Sequence, residues 1–340
     1  MIQHFLGANI LSFVLAFAVT AILGPIFIKW LHKLKYGQEI REEGPQWHQK
    51  KSGTPTMGGL MFIAGIAVAV ISQTVITALM KNMTPEVLKA VILFAVSLGF
   101  AAIGFIDDYI KVVKKRNLGL TAIQKFALQL LFAAAYVIIM YCMDMLETDI
   151  VIPFIKYPVT IPIWLYIPFV MFVVVGTVNA VNLTDGLDGL ASSITVVVSL
   201  FFAAYAFFRF TPSQTGVSIY AAAVAGGLIG FLIYNKYPAK IFMGDTGSLF
   251  LGGAAALMAV DLNMHLYLII AGFVYFAETL SVILQTSYFK YTKKKYGEGR
   301  RIFKMTPIHH HFEMIGWKET KIVRVFTLVT LILCVISFFA

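Results

Sequence analysis

Charged side chains are scarce in this sequence. Of its 340 residues only 13% are charged, whereas 59% are hydrophobic. A typical soluble domain carries about 25% charged residues, so the composition excludes an ordinary soluble protein. We predict an integral membrane protein, because a surface that faces lipid needs few charges.

Cysteine is nearly absent as well, which excludes two kinds of site. The two cysteines, Cys142 and Cys334, both fall within apolar runs, so neither an extracellular disulfide framework nor a cysteine-based zinc site is expected. No Walker A, Rossmann or kinase motif occurs. The beginning of the chain lacks the basic residues of a signal peptide, so we expect the first apolar run to be retained as a helix.

Ten apolar runs are each long enough for a helix that crosses a membrane, which takes about 20 residues. These runs are continuous, whereas barrel strands would alternate over about ten residues. The predicted fold is therefore all-α and polytopic, a single membrane domain over residues 1–340. The ten predicted spans are 5–28, 60–80, 88–106, 122–143, 162–181, 190–208, 217–234, 247–262, 266–289 and 322–339.

The distribution of basic residues predicts the orientation of the chain. All 27 lysines and arginines except Lys81, Lys89, Lys156 and Arg209 lie in or beside alternate loops. Because basic loops stay in the cytoplasm, we predict that both termini lie outside and that the active site lies at the cytoplasmic face. The main cytoplasmic loops are then 29–59, 107–121, 182–189, 235–248 and 290–321.

Two adjacent acids, Asp107 and Asp108, end the third apolar run. Neighbouring residues on a helix point about 100° apart, so one carboxylate can face a cleft while the other holds a partner. Acids at a helix C-terminus also oppose the helix dipole, a local conflict that is typical of functional sites. The alternative is an interfacial salt-bridge cluster with the basic residues that follow, among them Lys111.

The stretch 179–189 places amides, carboxylates and glycines between two apolar runs. If residues 185–189 form the first turn of a helix, Asp185 and Asp188 share a face, and Gly186 lets a ligand approach the backbone. The alternative is a capped tight turn, although one capping residue would suffice for that. The polar candidates in this stretch are Asn179, Asn182, Asp185 and Asp188.

A further carboxylate, Asp245, lies between Gly244 and Thr246 at the start of the eighth run. Mg²⁺ is held by one or two carboxylates and completes its shell with water and phosphate oxygens. A helix N-terminus favours the same phosphates. A simple helix cap is the alternative.

Three other features contribute polar side chains. Lys51 and Thr56 lie in a segment of lysines, hydroxyls and glycines that suits either a phosphate or a basic lipid anchor. Glu278 lies at lipid depth, either as a buried structural partner or as part of a substrate opening. The histidines at 309–311 diverge on a short helix, which favours contact with a polar substrate over a zinc site.

The aspartate pairs, Asp245, the basic loops and the histidines all fall on the predicted cytoplasmic side. Carboxylates beside basic groups suit a divalent cation bound to a polyphosphate, and phosphoryl transfer depends mainly on positioning and charge neutralisation. A site at the membrane edge implies that one substrate comes from the cytosol and the other lies in lipid. The exchange of one phosphoanhydride for another satisfies both conditions.

The motifs resemble those of the phospho-N-acetylmuramoyl-pentapeptide transferases over nearly the whole chain. They are Asp107-Asp108, the stretch 179–189, the segment 242–245 and the segment 307–313. The resemblance implies a Mg²⁺-dependent enzyme of the bacterial cytoplasmic membrane. Such an enzyme transfers phospho-MurNAc-pentapeptide from its UDP carrier to undecaprenyl phosphate, which yields UMP and lipid I for peptidoglycan synthesis.

The resemblance also implies roles for individual residues. Asp245 would bind Mg²⁺, and Asp107 would activate the lipid phosphate with support from Asp108. Phe242 would stack on uracil, while Lys111 would contact phosphate. The candidate substrate-binding residues, which include the nucleoside pocket at Lys51 and 186–188, are Lys51, Thr56, Lys111, Asn179, Asn182, Asp185, Gly186, Leu187, Asp188, Asn235, Phe242, His309, His310 and His311.

Other functions stay open on the sequence alone. A GlcNAc-1-phosphate transferase would share the aspartate motifs, although the segment 307–313 is more specific for the peptidoglycan branch. A secondary transporter would place its acids near the membrane midplane, and a scaffold would not explain the aspartates. An aspartate could also act as a nucleophile in a two-step route. The expected partners are the two substrates and the bilayer, with no nucleic acid, and a homodimer is open.

Overall fold

The computed structural model describes residues 2–33, 51, 53–80, 85–113, 119–155, 157–209 and 214–340. These residues form helices together with one two-stranded sheet, so the predicted all-α class is confirmed. The helices are α1 (Ile2–Lys33), α2 (Gly59–Leu79), α3 (Pro85–Val113), α4 (Ala122–Cys142), α5 (Ile163–Thr184), α6 (Leu190–Phe208), α7 (Thr215–Asn235), α8 (Gly244–Asp261), α9 (His265–Ala271), α10 (Phe273–Tyr296), α11 (Ile308–Met314) and α12 (Glu319–Phe339). The strands are β1 (Asp149–Val151) and β2 (Pro158–Thr160).

Eight helices in the described part of the chain, α1 to α7 and α12, are long and apolar enough to cross a membrane. α9 and α10 together could form one further span, although the two helices are bent by 82° where they meet. The remaining predicted span, 247–262, falls within α8, which is not among these candidates. The structure therefore contains eight or nine apolar spans where the sequence predicts ten.

α8 differs from the other long helices because it lies inside the bundle. All of its residues from Thr246 to Val260 are buried, so it contacts other helices rather than lipid. A Cβ atom at Gly252 would lie 2.5 Å from Val178 Cα on α5, and one at Gly253 would meet the Phe100 ring on α3. Small residues thus allow close helix packing, and they also lower the hydropathy of α8.

α3 and α8 run antiparallel and are joined by polar contacts at both ends. At one end the buried Lys89 ammonium lies 3.2 Å from Asp261 Oδ2, and the Tyr136 hydroxyl donates to Asp261 Oδ1 at 3.5 Å. Asp261 ends α8, where a negative charge opposes the helix dipole, so the Lys89 cation offsets it. Removing one partner of such a buried pair costs about 3–5 kcal/mol. The acids of the candidate site lie at the other end.

A short hairpin packs beside the Asp261 end of α8. β1 and β2 pair antiparallel, with Ile150 opposite Val159, as the β-branched residues and prolines between 144 and 161 predict. The Val151 N–H donates to the Asn263 carbonyl at 3.0 Å. This bond ties the hairpin to the segment that follows α8.

Residues 185–189 do not form the first turn of a helix, so the condition under which Asp185 and Asp188 would share a helical face is not met. α5 ends at Thr184 and α6 begins at Leu190, and Gly189 has a φ of +78° immediately before α6. A positive φ of this size ends the regular helical backbone, and glycine adopts it with little steric cost. Asp185 and Asp188 therefore lie in a tight turn and do not share a helical face.

Several predicted features lie outside the described residues. They are residues 34–50 of the first cytoplasmic loop, Ser52, the basic residues 114–116, Lys81 and Lys156. The orientation of the bundle in the membrane also stays a prediction, since it rests on the distribution of basic residues alone.

Close packing of α7 against α1 depends on Gly226, where a Cβ atom would lie 2.1 Å from the Phe13 carbonyl oxygen. We expect Gly226→Ala to lower the stability by about 1–3 kcal/mol, because the backbone of α1 must move to relieve the clash. Gly176→Ala in α5 is the matched control, since a Cβ atom there meets nothing within 4 Å. Thermal unfolding in detergent measures both, and equal midpoints for the two variants would contradict this packing.

Candidate active site

The carboxylate of Asp108 caps the N-terminus of α8. Its Oδ1 accepts from Asp245 N at 3.2 Å, and its Oδ2 accepts from Thr246 N at 2.9 Å and from Thr246 Oγ1 at 2.8 Å. These N–H groups have no partner within α8, because they belong to its first turn. A Cβ atom at Gly104 would lie 2.1 Å from the Asp245 carbonyl oxygen, so Gly104 lets α3 approach closely enough for this contact.

Asp107 points to a different set of partners, as expected for the residue next to Asp108 on a helix. Its buried carboxylate accepts from Leu120 N at 2.7 Å through Oδ1. Oδ2 lies 2.6 Å from Lys111 Nζ and 3.0 Å from Lys125 Nζ. A Cβ atom at Gly119 would lie 2.3 Å from Asp107 Oδ1, so only glycine leaves room for the carboxylate there.

Asp245 completes the group from the start of α8. Its Oδ2 lies 3.0 Å from Lys111 Nζ and 2.7 Å from Lys125 Nζ, so the two lysines bridge Asp245 and Asp107. Its Oδ1 accepts from Asn182 Nδ2 at 2.9 Å, and the same amide nitrogen donates to Ser248 Oγ at 2.8 Å. The ends of α3 and α5 and the starts of α4 and α8 therefore meet at one place.

The carboxylates of Asp107, Asp108 and Asp245 form an acidic cluster with one oxygen from each within 4.8 Å of the others. Oxygen ligands of this kind suit hard divalent cations such as Mg²⁺. Asp107 and Asp245 share Lys111 and Lys125 as partners. A cation that takes the place of an ammonium group would therefore lie between these two carboxylates, whereas Asp108 is held by backbone and hydroxyl donors of α8. The donor set fits a divalent metal.

Asp185 lies close enough to the acidic cluster to interact with it electrostatically. Burial, followed by the charges of Asp245, Asp108 and Asp188, raises the pKa of the Asp185 carboxyl well above its usual range. The raised pKa favours the neutral form of Asp185, while the three carboxylates of the acidic cluster outnumber the two lysines beside them. A cation that entered this cluster would be bound favourably.

A second charged group, which we call the Lys51 cluster, consists of Lys51, Asp188 and Glu319. Lys51 Nζ lies 2.7 Å from Asp188 Oδ1 and 2.7 Å from Glu319 Oε1. Asp188 Oδ2 accepts from Ala239 N at 2.9 Å, and Asp188 N donates to Glu319 Oε1 at 2.6 Å. Segments far apart in sequence therefore converge on a single lysine.

Phe242 and Thr56 link the Lys51 segment to the acidic cluster. Phe242 N donates to the Pro55 carbonyl at 2.9 Å. Phe242 is half-buried and lies in the sequence between Ala239, which contacts Asp188, and Asp245. A Cβ atom at Gly244 would lie 2.7 Å from Thr56 Oγ1 and 2.5 Å from Asp108 Oδ2. Thr56 therefore lies beside the start of α8.

The three consecutive histidines diverge on α11, as predicted. Buried His309 lies with Nδ1 3.0 Å from Glu278 Oε2, and its backbone N–H donates to the same oxygen at 3.3 Å. A Cβ atom at Gly186 would lie 2.2 Å from His309 Nε2, so this ring faces the 185–189 turn. Glu278 is thus a buried structural partner, which decides between the two interpretations left open by the sequence.

The other two histidines have different partners. His310 Nδ1 lies 2.8 Å from Glu313 Oε2, and His311 Nδ1 accepts from Lys304 N at 3.2 Å. Only His309 among the three is brought against the turn that contains Gly186.

Two predicted substrate-binding residues form hydrogen bonds within the protein. Asn179 Nδ2 donates to Gln129 Oε1 at 2.7 Å and so joins α5 to α4. Asn235 Nδ2 donates to the Ile241 carbonyl at 3.0 Å and thereby holds the segment before Phe242. Leu187 is buried, so its side chain packs in the protein.

Sequence reasoning did not select two residues that the structure brings into the site. Lys125 could have been found from the sequence, because it is a basic residue in the first turn of an apolar helix, on the predicted cytoplasmic side. Glu319 carries no such signal, because an acid in the first turn of α12 is an ordinary choice for a helix start.

Comparisons with known proteins agree with this geometry. A family model described as Glycosyl transferase family 4 matches residues 90–263, which include the three aspartates of the acidic cluster. The phospho-N-acetylmuramoyl-pentapeptide-transferase signature 1 matches residues 51–63, which include Lys51 and Thr56.

Curated relatives extend the similarity to the full chain, and each is named phospho-N-acetylmuramoyl-pentapeptide-transferase. One from Clostridium botulinum (strain Alaska E43 / Type E3) is 50% identical over 343 residues, which cover 100% of this chain and 98% of the relative. One from Clostridium beijerinckii is 48% identical over 96% of this chain and 94% of the relative. One from Acetivibrio thermocellus is 46% identical over 98% of this chain and 96% of the relative. Since relatives this similar match from end to end, the chain belongs to the phospho-N-acetylmuramoyl-pentapeptide-transferase family.

Proposed function

We propose that this protein transfers phospho-MurNAc-pentapeptide from UDP-MurNAc-pentapeptide to undecaprenyl phosphate in the bacterial cytoplasmic membrane. The products are lipid I and UMP. Membership of the family supports the muramyl donor over the GlcNAc-1-phosphate alternative. A transporter is not favoured, because the acids gather at one end of the helices and not at their middle.

The observation that carries the proposal is the acidic cluster bridged by Lys111 and Lys125. Both ammonium groups lie within 3.0 Å of Asp245 Oδ2, at the ends of helices that are long enough to cross a membrane. Carboxylates for a cation and ammonium groups for phosphate oxygens are the parts that phosphoryl transfer requires. Their place at the helix ends suits a reaction between a soluble donor and a lipid acceptor.

Asp245 and Asp107 are the residues that hold Mg²⁺ in this proposal, since Asp108 is engaged by α8. When bound, Mg²⁺ neutralises negative charge on the donor diphosphate. Lys111 and Lys125 contact phosphate oxygens from the side of α3 and α4. Asn182 orients the Asp245 carboxylate through its hydrogen bond to Oδ1.

Asp107 and Asp108 have separate tasks in the proposed reaction. Asp107 faces the lysines and is the group that aligns the lipid phosphate or accepts its proton. Asp108 acts through α8, because its carboxylate sets where Asp245 lies. A lipid phosphate is already anionic at neutral pH, so alignment contributes more than proton removal. A two-step route with an aspartate nucleophile remains a second route to the same products.

The Lys51 cluster is the proposed binding site for the nucleoside. Lys51 is paired with two carboxylates, so its charge is more than neutralised and the cluster disfavours a phosphate. A neutral base is the part of the donor that suits such a group. The partly exposed ring of Phe242 offers an aromatic face for stacking on it.

Asp245→Asn tests the proposed metal site. We expect the rate of UMP release to fall about 100-fold or more, because an amide binds Mg²⁺ less well than a carboxylate. UMP release from purified protein with both substrates and Mg²⁺ is the measurement, together with direct Mn²⁺ binding as a stand-in. Asp144→Asn, an exposed residue after α4, is the control. Normal turnover and normal metal binding in Asp245→Asn would rule out this site.

Gly119→Ala tests whether the position of Asp107 matters. The added methyl would lie 2.3 Å from Asp107 Oδ1 and must displace the carboxylate. We expect kcat to fall about 10- to 100-fold with little change in donor affinity, since small misplacements of reacting groups cost this much. Gly176→Ala serves again as the control, and a Gly119→Ala enzyme with wild-type kcat would refute an aligned role for Asp107.

A further inference from the structure

Glu319 is the member of the Lys51 cluster that no motif explains. It lies in the first turn of α12, and its carboxylate reaches between Lys51 and the turn at Asp188. Oε1 accepts from Asp188 N at 2.6 Å and from Lys51 Nζ at 2.7 Å, and Oε2 lies 2.8 Å from the same Nζ. A charged acceptor is thus placed between two donors.

The order of donors and acceptors around Glu319 is complementary to the hydrogen-bonding edge of a nucleobase. The Asp188 N–H is a donor, the Glu319 carboxylate is an acceptor and the Lys51 ammonium is a donor. The Watson–Crick edge of uracil presents the complementary order, with the O4 acceptor, the N3–H donor and the O2 acceptor. Cytosine presents a 4-amino donor and an N3 acceptor instead, so it would face a like group at two of the three positions.

Among the acids of this cluster, Glu319 is the one suited to reading N3–H. One oxygen of Asp188, Oδ2, is committed to the backbone at Ala239 N, and its other oxygen shares the Lys51 ammonium with Glu319. The partners of Glu319 in the cluster are instead two donors that a base carbonyl can also use. Two carboxylates beside one ammonium also leave the cluster negative, which favours a ligand that donates a hydrogen bond over an anion.

We propose that Glu319 selects uracil by accepting a hydrogen bond from N3–H. The Asp188 N–H and the Lys51 ammonium, which Glu319 engages in this structure, then donate to the two carbonyl oxygens of the base. Glu319 is therefore a specificity-determining residue, and this inference rests on the proposed function because it takes a uridine nucleotide as the donor. Sites that read hydrogen-bonding groups reject analogues strongly, since a mismatched base leaves buried groups unpaired.

Direct binding of nucleotides to the wild-type protein tests the inference without any variant. UMP, CMP and 3-methyl-UMP differ at the edge that Glu319 would read, and calorimetry in detergent gives their affinities. We expect CMP and 3-methyl-UMP to bind at least about 30-fold more weakly than UMP. If 3-methyl-UMP binds as tightly as UMP, Glu319 does not contact N3–H and the inference is overturned.

A set of variants separates base selection from a structural role. Glu319→Gln can donate to N3 of cytosine as well as accept from uracil, so the ratio of UMP to CMP affinity should shrink about tenfold or more. Glu319→Asp keeps an acceptor and should keep the ratio while binding weakens. Glu298→Gln, an exposed acid after α10, should change nothing. An equal loss for UMP and CMP in Glu319→Gln would assign Glu319 a structural role only.

UMP release by the wild-type protein, measured in parallel, distinguishes the two levels of the proposal. If the wild-type protein turns over but Glu319→Gln has the same ratio of UMP to CMP affinity as the wild type, the role of Glu319 is overturned and the proposed function stays intact. Neither turnover nor UMP binding in folded wild-type protein would overturn both.

Discussion

The capping of α8 by Asp108 is the contact on which the candidate site depends. A carboxylate at the C-terminus of α3 is unfavourable for α3 itself, yet the same carboxylate satisfies the first N–H groups of α8. The dipole of α8 thus compensates for the cost at α3. Because the contact fixes the start of α8 against the end of α3, it also brings Asp245 within reach of the lysines that hold Asp107.

The charged residues of the candidate site form two clusters that differ in their ratio of carboxylates to lysines. The acidic cluster combines carboxylates with Lys111 and Lys125 and suits a metal and phosphates, whereas the Lys51 cluster has two carboxylates for one lysine and suits a neutral base. Asp185 interacts electrostatically with members of both. The base and the diphosphate of the proposed donor therefore each meet a chemically matched environment.

Helix packing explains how so many charges are held at the end of an apolar bundle. α8 contains glycine and alanine where bulky apolar residues would keep other helices away, so α3 and α5 approach its backbone closely at Gly253 and Gly252. Close packing fixes the start of α8 with little freedom, and the buried Lys89–Asp261 pair holds its far end. A helix surrounded by protein needs no lipophilic surface, and α8 is accordingly not among the helices apolar enough to cross a membrane.

The all-α membrane class and the candidate acids follow from the sequence alone, because apolar runs of about 20 residues mark the spans and acids near lipid are costly enough to mark their own positions. Asp107, Asp108, Asp188 and Asp245 could be selected for that reason. Tertiary contacts determine which acid caps α8, where Asn179 and Asn235 form hydrogen bonds, and that Glu319 meets Lys51. These partners lie far apart along the chain, as with Lys51 and Glu319, which are separated by 268 positions. Local patterns carry no information about contacts that helix packing alone creates.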